Sequence, residues 1–82
     1  MVTYPKVKAV KSIQNKSLLI TFQNDIQKIY DCSILLNNKY FIPLRDDSLF
    51  GLVKVDQGGH GISWSDEIDL SESELWLNGK KQ

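Results

Sequence analysis

An α+β fold on a mainly antiparallel sheet follows from three properties of the 82-residue sequence. Short apolar runs with period-two alternation recur along the chain. The first of them are joined by turns of two or three polar residues, which is hairpin order rather than βαβ order. The helical signals between the runs are only a turn or two long. Together these predict a sheet of about five strands with two or three short helical turns packed on it. The length suits one domain over residues 1–82, with 78–82 expected to fray as a tail.

The elements follow in chain order. Tyr4 to Ile13 predicts a first strand, with Pro5 at its start, where a missing N–H is tolerated. Ala9 and Val10 are adjacent apolar residues, so a bulge is expected near them. Gln14-Asn15-Lys16 is a polar turn. Ser17 to Gln23 is a second strand, with Leu18, Ile20 and Phe22 on one face and Leu19 and Thr21 on the other. Asn24-Asp25 predicts a two-residue hairpin, and Ile26 to Asp31 the returning strand. With Gln23 opposite Ile26, Ile20 would face Ile29, and Tyr30 would share the face of Leu19 and Thr21.

Asp31 predicts a cap for a short helix over Cys32 to Asn37, with Leu35 and Leu36 inward. Lys39 to Leu44 reads as extended, because a residue before proline disfavours helix. Asp46 or Asp47 then caps a turn through Leu49 and Phe50. Leu52 to Asp56 is a fourth strand, Gln57 to Gly61 a glycine-rich loop, and Ile62-Ser63-Trp64 a fifth strand. Ser65-Asp66-Glu67 turns, and Ile68 and Leu70 follow. Ser71 and Glu74 fit a capping box for a last helical turn that docks Leu75 and Trp76, and Asn78-Gly79 ends it.

Ten cations against ten anions, and a pI near 6.5, argue against a dedicated nucleic-acid coat or a polybasic membrane binder. The even sum hides a division. Residues 1–45 carry seven cations and two anions, and residues 46–82 carry three and eight. One cysteine excludes an intrachain disulfide framework and a Cys-based zinc ribbon. The N-terminal residues lack a signal-peptide apolar stretch, and no run approaches the roughly 20 apolar residues that span a bilayer. A cytoplasmic location is expected, with no membrane partner.

The order Pro5-x-Val7, Leu18 to Phe22 with its hairpin turn, Tyr30-Asp31 and Leu44-x-Asp46-x-x-x-Phe50 forms a pattern. It continues with Ile62-x-Trp64, Ile68-Asp69-Leu70 and Leu75-Trp76. This order resembles the bacterial domain-of-unknown-function family 2442 over nearly the whole chain. The resemblance implies a short cytoplasmic α+β domain, in some members fused to a helix-turn-helix segment. It also implies likeness to the antitoxin-like halves of small two-gene modules, and it carries no catalytic residues. Two turns depart from the family's Asn-Gly habit, at Asn24-Asp25 and Asp66-Glu67. Losing glycine at a positive φ costs about 1 kcal/mol or changes the turn type.

Few residues suggest chemistry. His60, in Gly58-Gly59-His60-Gly61, could serve as a base or a ligand, but it has no second histidine and reads as an exposed loop residue. The same glycines lack the lysine, hydroxyl and long helix of a phosphate loop. Cys32 reads as a structural thiol, because Asp31 beside it opposes thiolate formation. Asp66, Glu67, Asp69, Glu72 and Glu74 form an acidic run without calcium-loop spacing. Trp64 and Trp76 read as core, or, if exposed, as an interface anchor. Lys6, Lys8 and Lys11 read as edge-strand guards against aggregation.

Three readings compete. The favoured one is a non-enzymatic protein-interaction module, antitoxin-like, using Asp66, Glu67, Asp69, Glu72 and Trp76, with another protein as partner and no cofactor or metal. A homodimer through an exposed strand edge is a further expectation. The second is a small enzyme or ligand-binding domain using His60 and the Asp66–Asp69 carboxylates. The third, disfavoured because Arg45 is the only arginine, is nucleic-acid binding through the N-terminal lysines.

Overall fold

The computed structural model describes residues 3–81. They form β1 (Val7–Ile13), β2 (Ser17–Phe22), β3 (Gln27–Asp31), α1 (Asp47–Phe50), β4 (Lys54–Val55), β5 (Gly61–Ser65), β6 (Ile68–Ser71), α2 (Glu72–Asn78) and β7 (Lys80–Lys81). Three 3-10 turns lie between, at Ser33–Asn37, Ile42–Arg45 and Gln57–Gly59. One antiparallel sheet has the order β1-β2-β3-β7, the other β4-β5-β6. The α+β class stands, and the strands beyond the expected five are β6 and β7. No helix of the described residues is long and apolar enough to cross a membrane.

Alternation decides which faces meet. Leu18, Ile20 and Phe22 are all fully buried, as period two requires. They pack with Val7 and Tyr30 against Ile62, Trp64, Ile68 and Leu70 of the second sheet. Leu44, Phe50 and Leu75 from the helical segments close the core. The Trp64 ring stacks on Phe50 at 5.9 Å, and its indole N–H donates to the Phe50 carbonyl at 2.9 Å. A buried indole is thereby satisfied. The β1 bulge lies one position earlier than expected: Lys8 is the extra residue between Val7 and Ala9.

Four expectations need correction. The β2–β3 hairpin is slipped by one residue. Ile20 lies opposite Lys28, Leu19 opposite Ile29 and Leu18 opposite Tyr30. The loop has three residues rather than two, with Asp25 at φ 67° and Asn24 Oδ1 accepting from the Ile26 N–H. Without glycine the chain takes a type of turn that needs only one left-handed residue. The slip flips β3 over, so Tyr30 enters the core and Ile29 faces outward.

Lys39 to Leu44 is not extended. Pro43 sits at the start of a 3-10 turn, where a fixed φ helps and its missing N–H is not needed. The fourth strand shrinks to two residues, leaving Leu52 exposed. The tail does not fray: Lys80 and Lys81 pair with Ile29 and Lys28, while Gln82 lies outside the described residues.

Other local signals act as expected. Asp46 accepts from the Ser48 and Leu49 N–H groups and caps α1. Ser71 accepts from the Glu74 N–H and caps α2. Gly59, at φ 74°, lets the β4–β5 loop lie on β1, since a Cβ there would stand 2.6 Å from the Val7 carbonyl oxygen. That approach brings the two sheets together beside His60.

Candidate functional site

The five C-terminal carboxylates have different surroundings. Asp66 and Glu67 are exposed at the β5–β6 turn, and Asp69 stands on the open face of β6. Glu72 turns back instead. Its Oε1 accepts from Lys6 Nζ at 2.8 Å, and its buried Oε2 has no hydrogen-bond partner among the described residues. Glu74 does not close the capping box. Its Oε2 accepts from the Tyr30 hydroxyl at 2.7 Å and from Asn78 Nδ2 at 2.9 Å. Burial first, then this carboxylate, pushes the Tyr30 phenol above its ordinary range.

Trp76 is half-buried and covered. The Phe22 ring meets it edge-on at 5.0 Å. Lys28 Nζ lies 3.8 Å from the ring centroid and donates to the Trp76 carbonyl at 2.6 Å. These two contacts leave the indole partly buried.

His60 is exposed, as expected, but it meets Lys6 and Glu72 rather than the Asp66–Asp69 carboxylates. Its Nδ1 lies 3.1 Å from Lys6 Nζ and 3.7 Å from Glu72 Oε2. The latter is too long for a hydrogen bond. Among the described residues, no group of three or more His, Cys, Asp or Glu could hold a metal ion. Cys32 is fully buried. Burial, with Asp31 adding to it, pushes its thiol up to about 12, far from a reactive thiolate.

The opposite face of the first sheet is more open. Pairing places Lys11, Leu19, Ile29 and Lys80 in one row across its four strands. By alternation this row faces away from Leu18, Ile20 and Phe22. At its β7 end lies a cleft of about 470 Å³ whose lining includes Ile29, Asp31, Ile34, Lys80 and Lys81. Ile34, in the 3-10 turn after β3, is 72% exposed. Ser33 hydrogen-bonds the Asp31 carboxylate and, with a smaller contribution from Lys80, holds it below the usual carboxylate range.

Sequence reasoning missed this cleft. One signal was available: in Ile34-Leu35-Leu36, three successive apolar residues on a single 3-10 turn cannot all face inward. The other components, Ile29 and Lys80, depended on the hairpin register and on β7.

Comparison with known proteins agrees with this architecture. No curated protein matches the chain. The crystal structure of "Putative DNA Binding Protein NE0471" from Nitrosomonas europaea ATCC 19718 is similar, with a TM-score of 0.72 at 21% identity. The likeness covers 90% of this chain and 48% of that one, so the chain spans about half the length of that protein. At that identity the likeness speaks for the fold. The family model described as "Protein of unknown function (DUF2442)" matches residues 7–81, nearly the whole sequence, and the chain belongs to this family.

Proposed function

We propose that the chain is a non-enzymatic protein-interaction module, the small partner of another protein. The observation that supports this most is the open face of the first sheet, where Ile34 is 72% exposed beside Ile29 and a lysine pair. Apolar surface rimmed by polar groups is characteristic of interaction sites. The groups that could carry chemistry have structural work to do. Cys32 is sealed, Glu74 holds Tyr30, and Glu72 holds Lys6.

An antitoxin-like role in a two-gene module is a finer form of this reading. A cytoplasmic setting, where a lone reduced thiol persists, goes with it. Purification from the native host across a range of salt tests the module reading. A second protein should co-elute in fixed ratio with the chain. A chain that elutes alone at every salt concentration overturns it.

Nucleic-acid binding is the second reading, favoured by the name of the similar Nitrosomonas europaea structure. Ion pairs weaken it here. Lys6 meets Glu72 at 2.8 Å and Lys8 meets Asp25 at 3.1 Å, which leaves Lys11 alone of the three. We expect no mobility shift of duplex DNA at about 50 mM salt. A shift that weakens steeply with added salt would favour this second reading.

A further inference from the structure

We infer that the cleft between β3, β7 and the Ser33–Asn37 turn receives an acidic segment of a partner protein, with an apolar side chain seated among flanking carboxylates. The inference rests on the interaction-module reading and names the chemistry of its partner. Ile29 and Ile34 supply apolar lining. Lys80 and Lys81 stand beside them and make no ion pair among the described residues. The one carboxylate there, Asp31, already accepts from the Ser33 N–H at 2.9 Å. One anion therefore faces two cations within the cleft. The row across the sheet, Lys11-Leu19-Ile29-Lys80, repeats the arrangement of apolar ground between cations.

Charge complementarity selects the occupant. A second copy of the chain docked through the same patch would set lysines against lysines under twofold symmetry. A nucleic-acid backbone would satisfy the lysines but set Ile29 and Ile34 against phosphates. A peptide with a leucine between glutamates satisfies both. The cleft volume, about 470 Å³, lies within the range of roughly 300–1,000 Å³ common for ligand clefts.

The test is an NMR titration of the isotope-labelled full chain. The probes are a short peptide with leucine flanked by glutamates and two controls, one with glutamine for glutamate and one with serine for leucine. Titration runs to about 1 mM, where weak single-anchor contacts register. Amide shifts should cluster at residues 29–34 and 78–81. Affinity should fall about tenfold or more for each control peptide. The same loss is expected for the Ile34→Ser variant and for the double variant Lys80→Glu with Lys81→Glu. The three residues that are changed, Ile34, Lys80 and Lys81, are exposed, and an unchanged spectrum elsewhere verifies folding.

Equal affinity for the glutamine peptide, or no shift at all, overturns the inference. Shifts confined to Asp66–Asp69 with a lysine-flanked peptide overturn the cleft but leave the module reading in place. Shifts at Lys11, Lys80 and Lys81 with duplex DNA alone overturn both. Self-association of the wild type that Ile34→Ser abolishes assigns the face to a second copy and also overturns the inference.

Discussion

At the scale of single residues, two buried acids have been turned into structural groups. The Cys32 thiol and the Tyr30 phenol both ionise with more difficulty in the fold than in the open chain. Each folded-state value is raised, so each contribution to stability is complete below the unfolded value and lost as pH rises past it. For Cys32 that window runs from the ordinary 9.0 to about 12. Each group that ionises only in the unfolded chain removes about 1.4 kcal/mol per pH unit. Urea midpoints should therefore fall between pH 9 and pH 11, and fall less steeply in Cys32→Ala and Tyr30→Phe variants. A flat profile in the wild type would refute the assignment. The sequence identified Cys32 as structural from Asp31 beside it and from the lack of a base nearby in the chain. It could not show that Glu74 would be needed by Tyr30, because the two are 44 positions apart.

At the scale of elements, the hairpin turn governs the first sheet. Asp25 takes a left-handed conformation that glycine would adopt without a Cβ clash. Its ion pair with Lys8 is exposed on both sides and contributes little. Asp25→Gly should raise stability by about 0.5–1 kcal/mol, read as a higher urea midpoint with an unchanged slope. A destabilised variant would mean that the carboxylate matters more than the backbone.

The caps of α1 and α2 were legible, because a cap is a local contest between a side chain and the first orphan N–H groups. The register was not. Two- and three-residue loops are both open to Gln23-Asn24-Asp25, and the difference is one residue of slip. That slip decides whether Ile29 or Tyr30 enters the core. The Lys39–Leu44 segment was equally ambiguous, since proline suits both an extended strand start and the first turn of a helix.

At the scale of the whole molecule, the even charge sum resolves into paired and unpaired ions. The basic first half and acidic second half meet at Lys6–Glu72 and at Lys16–Asp47. The former links the segment before β1 to α2, and so ties the two sheets together beside Gly59. Glu72 is only 18% exposed in its side chain, so the pair is partly shielded from water. A double-mutant cycle over Lys6→Met and Glu72→Gln should give a coupling of about 0.5–1 kcal/mol that declines with added salt. Zero coupling at low salt would show that the contact is incidental. Within the acidic interaction surface expected from sequence, Glu72 pairs with Lys6 and Trp76 packs against Phe22 and Lys28. Asp66, Glu67 and Asp69 stay exposed without an ion pair among the described residues, and so, with the opposite sign, do Lys11, Lys80 and Lys81.

The sequence by itself determined the α+β class, the family, the buried stripe Leu18-Ile20-Phe22, the cap at Ser71 and, to within one of two neighbouring aspartates, the cap of α1. Each is a matter of period-two alternation, local hydrogen bonding or the order of motifs, and such signals act within a few residues. Only the tertiary structure decided the hairpin register, the β3–β7 pairing, the burial of Glu72 under Lys6 and the exposure of Ile34. Those outcomes depend on which distant segments compete for the same edge, face or charge. The period of a strand fixes that its faces alternate; the partner packed against it decides which face is inside.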